Sequence, residues 1–298
     1  MQGSAPGFHK ALLYAGGGLT ELYPVTAAVP KGLLPIYDKP LVYYALSVLM
    51  LAGIRRIAVV TSPGEHNAFF RLLGDGRQFG IQIEYLAQDG AGGPARAFLT
   101  ARDFIGHDPV AMILGDCLIY ADGLQKVLSS ATKNLAGASV FAHPVNNPQR
   151  HAIVELAPDG SPRAIDEKPA HPQSNLAITG IFFHDNEVVS IAAGLDQAQP
   201  DGFSMTDIHR AYLAAGRLRV TQFGRGFAWL DTSTHAALTA AANFIETIES
   251  THGLKIACLE EIAYCKGFIS KGQLATAASQ MNNAYGAYLQ QLLPHEGP

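Results

Sequence analysis

The chain has little net charge and no concentrated basic region. Its 298 residues carry 21 Lys and Arg against 25 Asp and Glu, a formal charge of -4, and the basic residues are scattered along the sequence. Proteins that bind nucleic acid or an anionic membrane through charge concentrate Lys and Arg on one face. The composition therefore argues against both of these partners and favours small-molecule ligands.

Cysteines and long hydrophobic runs are also scarce. Cys117, Cys258 and Cys265 are too few for a disulfide framework and match no zinc-binding spacing, so we expect free thiols in a reducing cytoplasm. The longest apolar stretch, residues 41–54, is interrupted by two tyrosines and a serine and is too short to cross a bilayer. Residues 1–8 lack the apolar centre of a signal peptide and are expected to form a flexible tail.

The chain does contain enough apolar residues for a sizeable core, since 48% of it is hydrophobic. In the first half, apolar runs of strand length alternate with amphipathic segments of helix length. Strands are predicted at 11–15, 56–61, 81–86 and 109–115, and helices at 40–53, 65–73, 93–103 and 122–132. This alternation indicates an α/β fold with parallel strands, in which ligands bind at the carboxyl ends of the strands.

The pattern changes twice further along the chain. Consecutive strands are predicted at 137–143, 152–156, 162–167 and 176–184, and we expect them to lay a substrate wall over the first half. Helices are predicted at 233–252, 258–265, 270–279 and 283–292, which would suit a lid or a subunit interface. We therefore predict a tail at 1–8, a continuous α/β core at 9–232 and a helical segment at 233–298.

The segment 14–35 carries the clearest binding signal. A glycine cluster, Gly16–Gly18, follows a short apolar run, and Lys31 lies downstream of it. Backbone N–H groups in such a turn can cradle phosphate oxygens, and a lysine can add a point charge to them. Glu21 lies in the same segment, where a phosphate site would favour a positive charge.

Two aspartates follow predicted strands. Asp116 comes directly after the apolar residues 111–114, and Asp231 comes directly after 227–230. Two carboxylates could share a magnesium ion, which prefers hard oxygen ligands and is often held by one or two carboxylates together with substrate phosphates. Either aspartate taken alone could equally cap the element that follows it.

Lys168 lies in the run Asp166-Glu167-Lys168-Pro169 at the end of a predicted strand. Proline restricts the backbone there and displays the preceding side chains, so a phosphate is one candidate ligand and a solvated charge cluster is the alternative. Trp229, the single tryptophan, is expected in the core. The histidines show no spacing that indicates a metal site.

These motifs and their order resemble the bacterial sugar-1-phosphate nucleotidylyltransferases, and among them the short glucose-1-phosphate thymidylyltransferases, over nearly the whole chain. The shared stretches are LYPVT at 22–26, LLPIYDKPLVYYALSVLMLAGIR at 33–55, LLGDG at 72–76, LGD at 114–116, EKP at 167–169, TG at 179–180, TDI at 206–208, AWLDT at 228–232 and GFI at 267–269. The resemblance implies a Rossmann-like nucleotidyltransferase sheet with a sugar-binding portion, and C-terminal helices that help to build a homotetramer.

The resemblance also implies a reaction and a role for each matching residue. A sugar phosphate would attack the α-phosphorus of dTTP or UTP with the help of Mg²⁺, and pyrophosphate would leave. The nucleotide would bind at Gly16, Gly17, Gln88 and Gly93, the phosphates at Lys31 and Lys168, the sugar at His151, Glu167, Thr179 and Gly180, and magnesium at Asp116 and Asp231.

The match departs from the family at the signature G-G-x-G-T-R-L-x-P-x-T. Here it reads GGGLTELYPVT at 16–26, so Leu19 replaces a glycine and Glu21 stands at the position of a catalytic arginine. Arginine offers a fork of donors to the leaving pyrophosphate, whereas a carboxylate repels it. Losing one such contact costs about 10²–10³ in rate, and reversing its charge is expected to cost more.

Three hypotheses follow. The protein is a nucleotidylyltransferase in which Arg96 or another cation compensates for Glu21. Alternatively, it is a catalytically inactive sugar-nucleotide-binding or regulatory homologue. The third hypothesis is an enzyme of a different reaction class on the same scaffold, using Glu21, Cys117, His151 or Asp166.

Overall fold

The structure is a computed structural model that describes residues 8–17, 21–89, 92–133, 135–199 and 202–293. Of the expected tail at 1–8, only Phe8 belongs to these ranges, and its ring packs edge-on against Phe183 with the ring centroids 5.1 Å apart. Leu19 of the signature lies outside the described residues.

The described residues form thirteen strands, eleven α-helices and four short 3₁₀ segments. The strands are β1 (Lys10–Tyr14), β2 (Pro35–Ile36), β3 (Lys39–Pro40), β4 (Arg56–Thr61), β5 (Gln82–Ala87), β6 (Val110–Leu114), β7 (Leu118–Ala121), β8 (Ala138–Pro144), β9 (Ala152–Leu156), β10 (Pro162–Glu167), β11 (Leu176–His184), β12 (Leu218–Gln222) and β13 (Phe227–Leu230). The helices are α1 (Leu41–Leu51), α2 (His66–Leu73), α3 (Gly93–Thr100), α4 (Arg102–Ile105), α5 (Leu124–Thr132), α6 (Glu187–Ala198), α7 (Met205–Ala214), α8 (His235–His252), α9 (Leu259–Cys265), α10 (Lys271–Gln280) and α11 (Ala284–Gln291). The 3₁₀ segments are Val25–Ala27, Lys31–Leu33, Arg77–Phe79 and Pro148–Arg150. None of the helices in these ranges combines the length and the apolar character needed to span a bilayer.

Nine of the strands in the described ranges form one mixed sheet. Its main path runs β10-β9-β11-β6-β1-β4-β5, and β8 pairs with β11 and carries β12. The pairs β6-β1, β1-β4 and β4-β5 are parallel, which confirms the α/β class predicted from the alternating pattern. Strands β8 to β11 extend this sheet sideways by largely antiparallel pairing, so the expectation that they lie over the first half is wrong.

The central strand β1 is buried on both faces of the sheet. Successive side chains of a strand point to opposite faces, so Leu13 packs into the cluster with helix α1 and Leu12 packs into the cluster with Phe98 of α3. Both leucines are fully buried. A strand covered by helices on both faces has a nearly continuous apolar sequence, as this one does. Burial of each leucine contributes about 1.5–3 kcal/mol.

Helices α6 and α7 and strands β7 and β12 were not predicted from the sequence. A local signal for α7 was present, because Ser204 and Asp207 form a capping box. The Ser204 hydroxyl accepts a hydrogen bond from the Asp207 N–H, and the Asp207 carboxylate accepts one from the Ser204 N–H. This spacing of a serine and an acidic residue marks the start of a helix.

Two histidines are stacked inside the half of the core that contains α7. The rings of His184 on β11 and His209 on α7 have centroids 5.5 Å apart and planes within 6° of parallel. Both ring nitrogens of His184 and the Nε2 of His209 are buried without a hydrogen-bond partner among the described residues. Burial lowers the pKa of His209 to about 3 and holds the pKa of His184 well below its ordinary value, so both rings are neutral in the folded protein.

The histidine pair predicts a loss of stability in mild acid. Below pH 6.5 the unfolded chain binds protons that the folded chain excludes, so the stability present above this pH falls as the pH drops toward 3. Between pH 7 and pH 5 we expect His209 to lower the free energy of unfolding by ~2 kcal/mol and His184 to lower it further. Urea unfolding at pH 7 and pH 5 measures this effect. The free energy of unfolding of His209→Gln should fall less between the two pH values than that of the wild type, by the contribution of His209. The matched variant His252→Gln, at an exposed position of α8, should keep the wild-type loss.

Candidate active site

The parallel pairing of β1 with β6 brings the glycine turn and Asp116 to the same edge of the sheet. Tyr14 is in register with Leu114, and the Gly115 N–H donates a hydrogen bond of 2.7 Å to the Tyr14 carbonyl. A Cβ atom at Gly115 would lie 3.0 Å from that carbonyl oxygen, so glycine is needed for this close approach. The turn after β1 and the aspartate after β6 are therefore neighbours.

A first cavity of about 490 Å³ opens at this edge. Its lining includes Gly16, Gly17, Lys31 and Asp116, as the sequence predicts. The Lys31 Nζ lies 2.5 Å from the Asp116 Oδ2, so the two side chains form an ion pair inside the cavity. The volume is in the range of small-molecule sites.

Asp231 reaches the same region through a separate two-stranded sheet. Strand β13 pairs with β7, with Leu230 opposite Leu118, so the chain that follows β13 runs beside the chain that follows β6. The Thr232 hydroxyl donates a hydrogen bond of 3.0 Å to the Asp116 carbonyl and ties these segments together. This pairing explains how two aspartates 115 positions apart, 116 and 231, line one cavity.

Asp231 is held in its ionised form by its surroundings. Partial burial acts to raise the pKa of this carboxyl group. Hydrogen bonds from the Ser233 hydroxyl and N–H, at 3.0 and 2.8 Å, and the positive charge of Arg150 outweigh that effect and lower the pKa. A carboxylate that accepts two hydrogen bonds keeps its negative charge at neutral pH.

A second cavity of about 510 Å³ adjoins the first and collects the charged side chains. Its ionisable lining residues are Glu21, Lys31, Asp116, Cys117, Arg150, His151, Lys168 and Asp231. Lys31 and Asp116 line both cavities. A molecule that spans the two would therefore pass the Lys31–Asp116 pair.

Lys168 enters the second cavity from a left-handed backbone conformation, with φ of 45°. Its N–H donates a hydrogen bond of 3.0 Å to the His151 carbonyl, which fixes the turn after β10. Non-glycine residues with this conformation are uncommon and are concentrated at functional sites. The His151 ring packs against Trp229 at 5.2 Å, and burial lowers the pKa of His151. Trp229 is half-buried: it packs against the core, as predicted, and also lines this cavity.

A third cavity of about 410 Å³ contains the residues that the sequence assigns to sugar binding, together with Gly93. Those residues are His151, Glu167, Thr179 and Gly180. The Thr206 hydroxyl donates a short hydrogen bond to Glu167, which orients its carboxylate. The Thr179 hydroxyl is buried and has no hydrogen-bond partner within the described ranges. Leu114 lines all three cavities, so they adjoin one another.

Gln88 is the assigned nucleotide residue that the structure does not bring to these cavities. Its amide donates a hydrogen bond of 2.9 Å to the Gly93 carbonyl and accepts one of 3.4 Å from the Thr100 hydroxyl. The side chain is only 7% exposed. Gln88 therefore braces the start of α3.

Two further residues named in the hypotheses have partners elsewhere. Arg96 forms an ion pair of 3.0 Å with Asp196 of α6, so it is not the cation beside Glu21. Asp166 pairs with Arg210 of α7 at 3.3 Å. Neither Arg96 nor Asp166 is among the lining residues of the three cavities.

The guanidinium beside Glu21 belongs to Arg150, a residue that the sequence did not single out. Its Nη2 lies 3.2 Å from the Glu21 Oε2 and 3.3 Å from the Ser233 Oγ. The contact with Glu21 joins positions 129 residues apart, and no local sequence pattern indicates it.

Cys117 lines the second cavity but is 3% exposed. Burial raises the pKa of its thiol, and the negative charge of Asp116 raises it further. The nucleophilic form of a cysteine is the thiolate, which this environment disfavours. The environment of Cys117 therefore argues against its use as a nucleophile.

Comparisons with known proteins agree with this architecture. The family model described as "Nucleotidyl transferase" matches residues 10–248. A glucose-1-phosphate thymidylyltransferase of Neisseria meningitidis serogroup A is 46% identical over 285 residues, covering 95% of this chain and 99% of the relative. That of Mycolicibacterium smegmatis is 45% identical and covers 96% of this chain and all of the relative. A UDP-glucose pyrophosphorylase solved with UDP-glucose shares the fold, with a TM-score of 0.70, 24% identity and coverage of 81% of this chain and 99% of that chain.

An α/β sheet with a glycine turn and Asp116 at the ends of neighbouring parallel strands, and with Lys31 and Asp231 brought to the same cavities, is typical of a nucleotide-binding class of protein. The chain belongs to the nucleotidyl transferase family. Its predicted resemblance to sugar-1-phosphate nucleotidylyltransferases of the glucose-1-phosphate thymidylyltransferase type is confirmed by these relatives. The comparisons support neither an inactive binding homologue nor a different reaction class.

Substitution of Lys168 by glycine should separate backbone strain from charge. Glycine adopts the left-handed conformation at no steric cost, so we expect Lys168→Gly to raise the free energy of unfolding by about 1 kcal/mol. Loss of the charge should lower activity by about 10²–10³. The matched variant Tyr37→Gly, at an exposed position with φ of 56°, should gain similar stability and keep full activity. Urea unfolding and a pyrophosphate-release assay measure the two effects.

The cysteines should differ in reactivity. Cys265 is exposed, whereas Cys117 and Cys258 are buried and burial raises the pKa of both thiols. Brief treatment of the folded protein with iodoacetamide should label Cys265 first, and treatment in denaturant should label all three. Peptide mass spectrometry locates the label. Rapid labelling of Cys117 in the folded protein would contradict its assignment as a structural residue.

Proposed function

We propose that the protein transfers a nucleotidyl group from dTTP or UTP to a hexose 1-phosphate and releases pyrophosphate. The observation that carries the proposal is the convergence of a glycine turn, Lys31, Asp116, Asp231 and Lys168 on adjoining cavities. The names of the relatives, which are glucose-1-phosphate thymidylyltransferases, support the choice of substrates.

In this proposal the first cavity takes the nucleotide. Gly16 and Gly17 line this cavity and are assigned to the phosphates, one of which would replace the long hydrogen bond of 3.4 Å that the Gly17 N–H donates to the Ser62 hydroxyl. Lys31 adds positive charge where the first two cavities meet. Lys168, which lines the second cavity, binds the phosphate of the sugar. Phosphoryl transfer needs mainly in-line positioning and neutralisation of charge, and these side chains supply both.

The third cavity takes the sugar. Glu167, oriented by Thr206, accepts hydrogen bonds from sugar hydroxyl groups. Thr179 is a further candidate because its hydroxyl is buried without a partner among the described residues and lines the same cavity. A buried polar group without a partner is costly, so a ligand that satisfies it gains binding energy. His151 and Gly180 complete the wall between phosphate and sugar.

The two aspartates fit a magnesium ion. Asp116 uses Oδ2 for Lys31, and Asp231 is held ionised by Ser233 and Arg150, so both carboxylates keep lone pairs for a metal. The residues that the structure describes contain no cluster of three or more His, Cys, Asp or Glu for a metal. Two carboxylates completed by substrate phosphates and water are a typical magnesium environment. Bound Mg²⁺ would neutralise charge on the triphosphate.

The proposal extends to a cytoplasmic homotetramer. Support for the assembly comes from the resemblance, which implies that helices α8 to α11 help to build the subunit contacts. Support for the location comes from the three cysteines of the sequence, which are too few for a disulfide framework and so fit a reducing compartment.

The reaction can be tested by pyrophosphate release with Mg²⁺, glucose 1-phosphate and either dTTP or UTP. We expect turnover by the wild type and a fall in kcat/KM of about 10²–10³ for Lys31→Met, which removes a positive charge from the phosphates, and for Asp116→Asn, which removes a carboxylate ligand of magnesium. The control Lys126→Met changes an exposed lysine on α5 and should keep the wild-type rate. Absence of pyrophosphate over a panel of nucleoside triphosphates and sugar phosphates would overturn the proposal.

A further inference from the structure

Arg150 is a cation of the second cavity to which the proposed reaction assigns no role. It ends the 3₁₀ segment Pro148–Arg150 and lines the second and third cavities, where phosphate and sugar would meet. Its side chain is 48% exposed, so it is open to a ligand. Its contacts reach two other segments, at Glu21 and at Ser233.

The guanidinium is anchored by only one of its three nitrogens. Both of its hydrogen bonds, to Glu21 and to Ser233, come from Nη2. An arginine has five N–H donors, and those of Nε and Nη1 have no partner within the described residues. These donors point to different sides of the guanidinium, so each can donate a single charged hydrogen bond to a phosphate oxygen while Nη2 stays with Glu21 and Ser233.

The charges of the second cavity make this cation important. The charged lining residues are Glu21, Asp116 and Asp231 on the negative side and Lys31, Arg150 and Lys168 on the positive side. Lys31 is paired with Asp116 and Arg150 with Glu21, but the Arg150 pair uses only Nη2. A phosphate that enters this cavity therefore meets Arg150 and Lys168 in addition to Lys31.

Glu21 lies beside this phosphate region although it carries the wrong charge for it. Its carboxylate is 64% exposed, and its ion pair with Arg150 is open to solvent, so the pair itself adds little stability. The contact does fix one end of a long side chain that would otherwise sample many rotamers. Fixing that end in advance lowers the entropy lost when a ligand binds.

We propose that Arg150 is a phosphate-binding residue of the active site and that Glu21 is its positioning residue. This inference rests on the proposed function and adds a residue to it. The phosphate belongs either to the pyrophosphate part of the triphosphate or to the sugar phosphate, and both present the same oxygens. Glu21 thus acts through Arg150 and does not contact the phosphate itself.

Binding measurements with the two anions separate these sources. Trp229, the single tryptophan, lines the second cavity, so its fluorescence can follow titration of the full chain with inorganic pyrophosphate and Mg²⁺, or with glucose 1-phosphate. We expect Arg150→Gln to weaken one of these anions by roughly 10- to 100-fold, the value of one or two charged hydrogen bonds. Arg150→Lys keeps the charge with fewer donors and should lie in between. The control Arg163→Gln changes an exposed arginine on β10 and should bind like the wild type.

The Glu21→Gln variant distinguishes positioning from simple repulsion. Removal of a repelling charge would tighten anion binding, both in the wild type and in the Arg150→Gln background. A positioning role predicts the reverse: Glu21→Gln weakens the same anion by about 3- to 10-fold with Arg150 present and changes nothing once Arg150 is Gln. Tighter binding in both backgrounds would refute the role assigned to Glu21.

Turnover assays separate this inference from the proposed function. Suppose that the wild type releases pyrophosphate and that Arg150→Gln matches the wild type both in its affinity for the two anions and in its rate. The inference then fails and the proposed function stands. If the wild type binds an anion through Arg150 but never turns over, the proposed function fails and the phosphate site remains. Binding of neither anion by the wild type would overturn the inference as well.

Discussion

The site depends on the parallel pairing of β1 with β6. This pairing places the turn that contains Gly16 beside Asp116, and the bond from the Gly115 N–H to the Tyr14 carbonyl holds the two strand ends together. The strands are buried on both faces, so a slip of one residue would move apolar side chains to the wrong face of the sheet. The hydrophobic core thus fixes the position of polar groups that lie outside it.

The second constraint is the small sheet of β7 and β13. Strand β7 begins two residues after Asp116, and its antiparallel partner ends directly before Asp231, so one register decides the position of both carboxylates. The large sheet and its hydrophobic core therefore position one side of the site, and the small sheet of β7 and β13 positions the other. Lys168 reaches the space between them from a strained turn, which the surrounding hydrogen bonds maintain.

The charges of the site are nearly balanced before any substrate binds. Lys31 holds Asp116, and Arg150 lies beside Glu21 and lowers the pKa of Asp231. Mutual pairing lowers the cost of keeping several charges in one cavity. Because these ion pairs are already formed, a phosphate group and a divalent cation that bind can exchange partners with them. This suits a reaction in which negative charge shifts between phosphate groups.

The residue pattern alone determined the parallel strands, most of the helices and the motifs at the strand ends, because periodic burial and glycine turns are local properties of a chain. It also determined the resemblance that the relatives confirm. Only the tertiary structure decided which side chains meet: it moved Gln88 away from the cavities, placed Trp229 in a cavity wall and set Arg150 beside Glu21. Those outcomes depend on register and packing between segments far apart in sequence, which no local pattern encodes.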